Sequence, residues 1–178
     1  GVQAYEGHLQ LLDPDGRRAG VAEAVARLRA ALDGLAEGGH RIDLVTSAGT
    51  GTAALAGDPV TEVQPGSYAL MDATYARAGG APFRQAAFVL TSVRSVLGPD
   101  TVVVDAGLKA VSVDMGPAQL AGREATYEPA GNEHGVVRGE VADLAPGATL
   151  RLIPAHTDTT VRLHRRLWVD GMTPVPIV

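Results

Sequence analysis

The sequence predicts an α/β segment followed by an all-β domain. Three observations carry that reading. A helical apolar repeat lies between two short strand-like runs in the N-terminal third, that repeat fades beyond about residue 75, and short β-rich runs separated by Gly, Pro, Asp and Asn turns take its place. At 178 residues the chain is long enough for one ordinary domain or two small ones.

The elements follow in order. Gly1–Tyr5 is a short strand-like opening, and Leu12–Gly20, with its Asp-Pro-Asp-Gly, is turn chemistry. Val21, Val25, Leu28, Leu32 and Leu35 recur at helical spacing until Gly38-Gly39 supplies a stop. Arg41–Thr46 is an apolar strand, which completes a β-α-β unit of the kind found in parallel sheets and (β/α) barrels. The β-rich runs are Ala87–Val93, Thr101–Asp105, Lys109–Asp114, Gly135–Val141, Thr149–Ile153, Thr160–Leu163 and Leu167–Val169. Their spacing predicts an antiparallel sandwich or barrel. The boundary is expected near residues 73–86, dividing 1–75 from 76–178, with Ala76–Ala81 as the linker.

Charge and composition exclude several classes. Twenty acidic against fifteen basic side chains give a net charge of −5, which argues against nucleic-acid and anionic-membrane partners. Cysteine is absent, so there is no disulfide framework and no thiolate nucleophile. No apolar run approaches the ~18 residues of a membrane span, and no leader precedes the first strand; a cytoplasmic setting is the expectation. No Gly-x-Ser-x-Gly elbow or lysine-bearing phosphate loop is present, which leaves serine-hydrolase and nucleotide-hydrolase readings without support.

Four places could carry chemistry. Ser47–Thr52 (SAGTGT) is a small-residue loop between a strand and a short helical run, Ala53–Ala56; its amides could cradle a phosphate, or its glycines could merely serve a connecting turn. In Pro154–Asp158 (PAHTD), His156 and Asp158 would project from one face if the segment is extended, and an imidazole with a carboxylate suits Zn²⁺ or Mn²⁺; a hydrogen-bonded turn is the plainer alternative. In Asn132–Gly135 (NEHG), Glu133 and His134 could do acid–base work or simply form a polar turn. His8 sits just past a strand end, where a barrel would have its rim. His40 and His164 are read as structural, and Trp168 as core or interface.

The ordered set QAYEGH (residues 3–8), SAGTGT (47–52), EVQPGSY (62–68) with Met71-Asp72, VDAGLKA (104–110), NEHG (132–135) and PAHTDTTV (154–161) resembles the D-threonine aldolase and D-serine dehydratase family. These are fold-type III, alanine-racemase-like enzymes of pyridoxal 5′-phosphate. The resemblance implies the C-terminal part of a (β/α)₈ TIM-type barrel followed by an antiparallel β domain. It assigns the cofactor phosphate to Gly49, Thr50, Gly51 and Thr52, the cofactor ring to Tyr5, and a further cofactor contact to Tyr68. It places a divalent metal (Zn²⁺ or Mn²⁺, with Mg²⁺ a further option) on His156 and Asp158, which with His134 are the expected catalytic residues. Family dehydratases carry His-x-Cys at this place and D-threonine aldolases His-x-Asp, so Asp158 favours cleavage of a D-3-hydroxy amino acid over elimination to a 2-oxo acid. A homodimer with shared active sites is also implied.

One departure stands out. The only lysine, Lys109, matches the D-A-G-x-K-A segment and not the family's Schiff-base lysine, which lies nearer the start of the barrel. The chain is therefore expected to be the C-terminal part of a longer enzyme, inactive alone. A non-catalytic binding or regulatory protein is the alternative from another class.

Overall fold

Strand β1 (Val2–Ala4) lies parallel to β2 (Val45–Ser47), which in turn pairs in parallel with β3 (Glu62–Val63). The computed structural model describes residues 1–79, 81–170 and 173–177. They divide into two compact units, Gly1–Arg84 and Gln85–Val178.

In the first unit, β1 and β2 are joined by helix α1 (Pro14–Glu37). The sequence expectation of a turn over residues 12–20 is corrected here. The Asp-Pro-Asp-Gly run is a helix start, with Asp13 accepting from the amides of Asp15 at 3.1 Å and Gly16 at 3.0 Å, and Pro14 in the first turn. An aspartate cap followed by proline satisfies orphan amides and presets φ, so the same residues that make turns also open helices. Leu28 is buried and Val21, Val25, Leu32 and Leu35 are half-buried, the stripe read from the sequence. A short helix α2 (Ala73–Ala78), capped by the Asp72 side chain on the Tyr75 amide at 2.9 Å, takes in the first half of the stretch read as a linker, Ala76–Ala78; Gly80 of that stretch lies outside the described residues. The parallel sheet has three strands among the described residues and is not a closed (β/α)₈ barrel.

The second unit is a closed antiparallel barrel in the order β4-β5-β8-β7-β6-β9. Its strands are β4 (Val89–Gly98), β5 (Thr101–Val104), β6 (Gln119–Leu120), β7 (Ala125–Pro129), β8 (Gly135–Gly139) and β9 (Thr149–Ile153). Alternate residues such as Val93, Val102, Val104, Val137, Leu150 and Leu152 point inward and pack around Tyr127 and Val111. Period-two burial of this kind is what pins strand register. Of the two architectures the sequence allowed, closure selects the barrel.

Two predicted strands are absent. Residues 109–114 form turns and bends, held by Leu108 and Lys109 amides donating to the carbonyls of Gly131 and Asn132, both at 3.0 Å. Thr160–Leu163 falls instead in and after helix α3 (Thr157–Val161), whose threonines suggested a strand by propensity. Tertiary contacts override it, since Thr157 and Thr160 are buried and Thr160 Oγ1 accepts from the Ser112 amide at 3.2 Å. The hairpin β10 (Arg166–Val169) and β11 (Thr173–Pro176) follows, with Trp168 62% exposed on it and so not in the core.

Candidate functional site

The glycine loop Ser47–Thr52 leaves the end of β2 and is buried throughout. Two side chains absent from the sequence reading shape it. Glu6 accepts from the Ser47 hydroxyl at 2.8 Å, the Ala48 amide at 3.3 Å and the Thr52 hydroxyl. Gln10 accepts from the Gly51 amide at 2.8 Å and donates to Thr52 Oγ1 at 3.0 Å. Gly49 donates to Thr52 Oγ1 at 3.0 Å. A Cβ at Gly51 would collide with the Gln10 backbone, and one at Gly49 would stand 2.9 Å from the Tyr5 ring, so close approach requires glycine at both. Ala48 adopts φ 62°, a left-handed conformation held by the Glu6 bond to its amide.

Most of the loop's donors are thus committed to the protein, and the expected helix after it is only the 3₁₀ turn Ala53–Leu55. The Thr50 amide is different. Thr50 is 3% exposed, yet its amide makes no hydrogen bond among the described residues. A buried, unpartnered amide at the turn of a glycine loop is the donor a phosphate oxygen would satisfy. The Tyr5 ring, half exposed, lies against both Gly7 and Gly49 and therefore beside this loop. Tyr68 follows β3, is partly exposed, and packs against Phe83 with ring centroids 5.3 Å apart. His8 is exposed in the 3₁₀ turn Gly7–Leu9.

The His156–Asp158 pair is not on a strand. His156 keeps extended backbone (φ −136°, ψ 116°) as the residue before α3, and Asp158 lies in the first helical turn. The pair nevertheless converges, with Nε2 of His156 3.8 Å from Oδ2 of Asp158. The other imidazole nitrogen, Nδ1, meets Oδ2 of Asp114 at 2.6 Å. Asp114 also accepts from Ser112 Oγ at 2.7 Å and Thr159 Oγ1 at 2.8 Å. Partial burial pushes the Asp114 carboxyl up, but the bonds from His156, Ser112 and Thr159 outweigh it and hold it down at about 2. Asp114 lies 42 residues before His156, with no local spacing to mark it. Among the described residues, no three His, Cys, Asp or Glu side chains gather around a common ion position. His156 Nε2 and Asp158 Oδ2 are the atoms of this cluster that could hold a metal ion.

His134 lies exposed where β7 turns into β8. Its neighbour Glu133 does not face it; the Glu133 carboxylate pairs with the Lys109 ammonium. His164 bonds through Nε2 to the Ala110 carbonyl at 2.8 Å, a structural role.

Residues 86–169 match the family model described as "Putative serine dehydratase domain". The chain is 42% identical over 183 aligned residues to a D-threonine aldolase of Arthrobacter sp., covering 97% of this chain and 48% of that protein. It is 39% identical to a 3-hydroxy-D-aspartate aldolase of Paracoccus denitrificans (strain Pd 1222), covering 97% and 47%. The crystal structure of D-threonine aldolase from Filomicrobium marinum superposes with a TM-score of 0.88 at 35% identity, over 93% of this chain and 47% of that one. Along nearly its whole length the chain is similar to the alanine-racemase-like family of D-threonine aldolases and D-hydroxyaspartate aldolases and dehydratases. It spans about half the length of the curated relatives it matches.

Proposed function

We propose that the protein to which this chain belongs is a lyase dependent on pyridoxal 5′-phosphate and a divalent metal, cleaving D-3-hydroxy amino acids in the manner of D-threonine aldolase, to glycine and an aldehyde. The observation that carries the reading is the approach of His156 Nε2 to Asp158 Oδ2 at 3.8 Å, an imidazole nitrogen beside a carboxylate oxygen, the donor pair a divalent ion would take. The 42% identity to a D-threonine aldolase supports it.

When bound, the cofactor supplies an electron sink for charge at the substrate Cα, and the ion a Lewis acid for the 3-hydroxyl. The chain's own residues do the holding. The Thr50 amide would donate to a phosphate oxygen, with Gly49, Gly51 and Thr52 keeping the loop in shape through Gln10 and Glu6. Tyr5 would line one side of the cofactor ring, and Tyr68 would stand near the phosphate. His156 and Asp158 would bind the ion and so orient the hydroxyl, and His134 would exchange a proton with substrate. Whole-protein features are proposed with these: the rest of a (β/α)₈ barrel carrying the Schiff-base lysine, a cytoplasmic setting and a homodimer sharing its sites. Among the described residues no helix is long and apolar enough to cross a membrane.

The test uses protein from the complete reading frame. A visible absorption band that borohydride bleaches while fixing the cofactor covalently, with metal-dependent release of glycine and aldehyde from D-threonine or D-3-hydroxyaspartate, is the expected result. Release of a 2-oxo acid and ammonia would move the protein to dehydratase chemistry. No band and no turnover of either kind would overturn the lyase reading and favour a binding role.

A further inference from the structure

We propose that Asp114 is the positioning residue of the metal pair: it holds His156 in the Nδ1-protonated tautomer, so that Nε2 alone presents a lone pair toward Asp158. The inference rests on the reading of His156 and Asp158 as metal ligands and concerns a residue outside that pair.

The geometry carries it. A neutral imidazole has one donor and one acceptor nitrogen, and the partner of one decides the role of the other. Oδ2 of Asp114 lies 2.6 Å from Nδ1, a short distance at which a carboxylate can only accept, so the proton sits on Nδ1. Nε2 then has the lone pair, on the side where Asp158 stands 3.8 Å away.

The carboxylate is itself clamped. Its second oxygen takes hydrogen bonds from Ser112 Oγ at 2.7 Å and Thr159 Oγ1 at 2.8 Å. Thr159 belongs to the same short helix as Asp158, and the Ser112 amide donates to Thr160 of that helix at 3.2 Å. The loop around Asp114 and helix α3 are thereby tied together at Thr159 and Thr160 as well as at His156. Orientation, tautomer and basicity of the imidazole follow from one acidic side chain. Outer-sphere carboxylates of this kind typically account for about 10–100-fold in metal affinity.

The experiment measures metal, not turnover. In the full-length, metal-free protein, long-range ¹H–¹⁵N spectra of labelled histidine report the tautomer, and the His156 signal is assigned by its loss in His156→Ala. Calorimetric titration with Mn²⁺ or Zn²⁺ alone reports affinity. The expected result is an Nδ1–H signature for His156 and an affinity about 10–100-fold weaker in Asp114→Ala. Asp114→Asn should keep the tautomer, because the amide oxygen still accepts, and should bind metal with intermediate affinity. Melting curves verify that the variants fold; if Asp114→Ala does not, Asp114→Asn carries the comparison. Wild-type affinity in Asp114→Ala, or wild-type affinity in Asp114→Asn where that variant carries the comparison, or an Nε2–H tautomer in the wild type, overturns the inference while leaving His156 a ligand. Unchanged affinity in His156→Ala overturns the metal-pair reading and this inference together.

Discussion

Arg17 donates from Nη1 to the carbonyl oxygen of Gly51 at 3.1 Å, so the first turn of α1 grips the glycine loop directly. The same guanidinium donates to the carbonyls of Gly79 at 2.8 Å, Ala78 at 3.1 Å and Leu12 at 2.6 Å, at 2% exposure, with Nε unpartnered among the described residues. One buried cation therefore ties the loop, the end of α2 and the entry to α1. Replacing it with methionine strands four acceptors. The expected cost is about 3 kcal/mol, using roughly 1–3 kcal/mol for each buried group left unpaired and allowing for partial rescue by water. Arg17→Lys should recover little, because an ammonium lacks the planar fork. Denaturant titration of the full-length variants measures both.

Gly51→Ala should disable the loop without touching the barrel. The added methyl meets the Gln10 backbone, which cannot step aside as a flexible side chain would. Overpacking of this kind costs about 1–3 kcal/mol, and the strain falls on the loop that presents the Thr50 amide. A drop of roughly tenfold in pyridoxal phosphate affinity is expected, with barrel strands equally protected in hydrogen exchange. Wild-type affinity would remove the loop from the phosphate site.

Gly107→Ala should loosen the other unit. Its Cβ would stand 2.6 Å from backbone atoms of Gly131 and Asn132, where the 107–111 turn lies on the loop before β8. The predicted penalty is about 1–3 kcal/mol, and the Lys109–Glu133 ion pair carried by these two loops should come apart with it. Thermal melting of the variant tests the first, and accelerated amide exchange at Leu108 and Lys109 the second.

Tyr127 gives a pH signature. Its hydroxyl donates to the Ala106 carbonyl at 3.0 Å, and burial pushes its pKa up to about 12. An unfolded tyrosine ionises near ~10. Below that value both states keep the proton and the tyrosine's contribution is intact. Between about 10 and 12 only the unfolded state ionises, so stability falls as pH rises. Tyr127→Phe should lose about 1 kcal/mol at neutral pH and show a shallower decline across the alkaline window. Urea midpoints over that range separate the two slopes; parallel curves would show that Tyr127 titrates normally.

The sequence spoke most clearly where local pattern and fold agree. The apolar stripe of α1 is a period signal and the runs that became β8 and β9 are β-rich segments bounded by turn residues, so both are legible in local pattern. Thr160–Leu163 misled, because β-branched propensity is a weak local preference beside the tertiary bonds of Thr160. The same limit hid part of the site. His156 and Asp158 are two apart and visible, whereas Asp114 joins them only through folding, and Glu6 and Gln10 reach the loop from more than 40 residues away. Arg17 carries no mark in the sequence that sets it apart from the other arginines, since nothing local says which of them the fold will bury.

Lys109 has a practical consequence. It is the one lysine of 178 residues, it projects into solvent, and it pairs with Glu133. Any aldehyde reagent given to the protein therefore meets this exposed amine. A borohydride-fixed adduct at Lys109 would be an artefact with the colour of success. Peptide mapping of the reduced protein, or the Lys109→Arg variant run alongside, tells the surface label from a cofactor held where catalysis needs it.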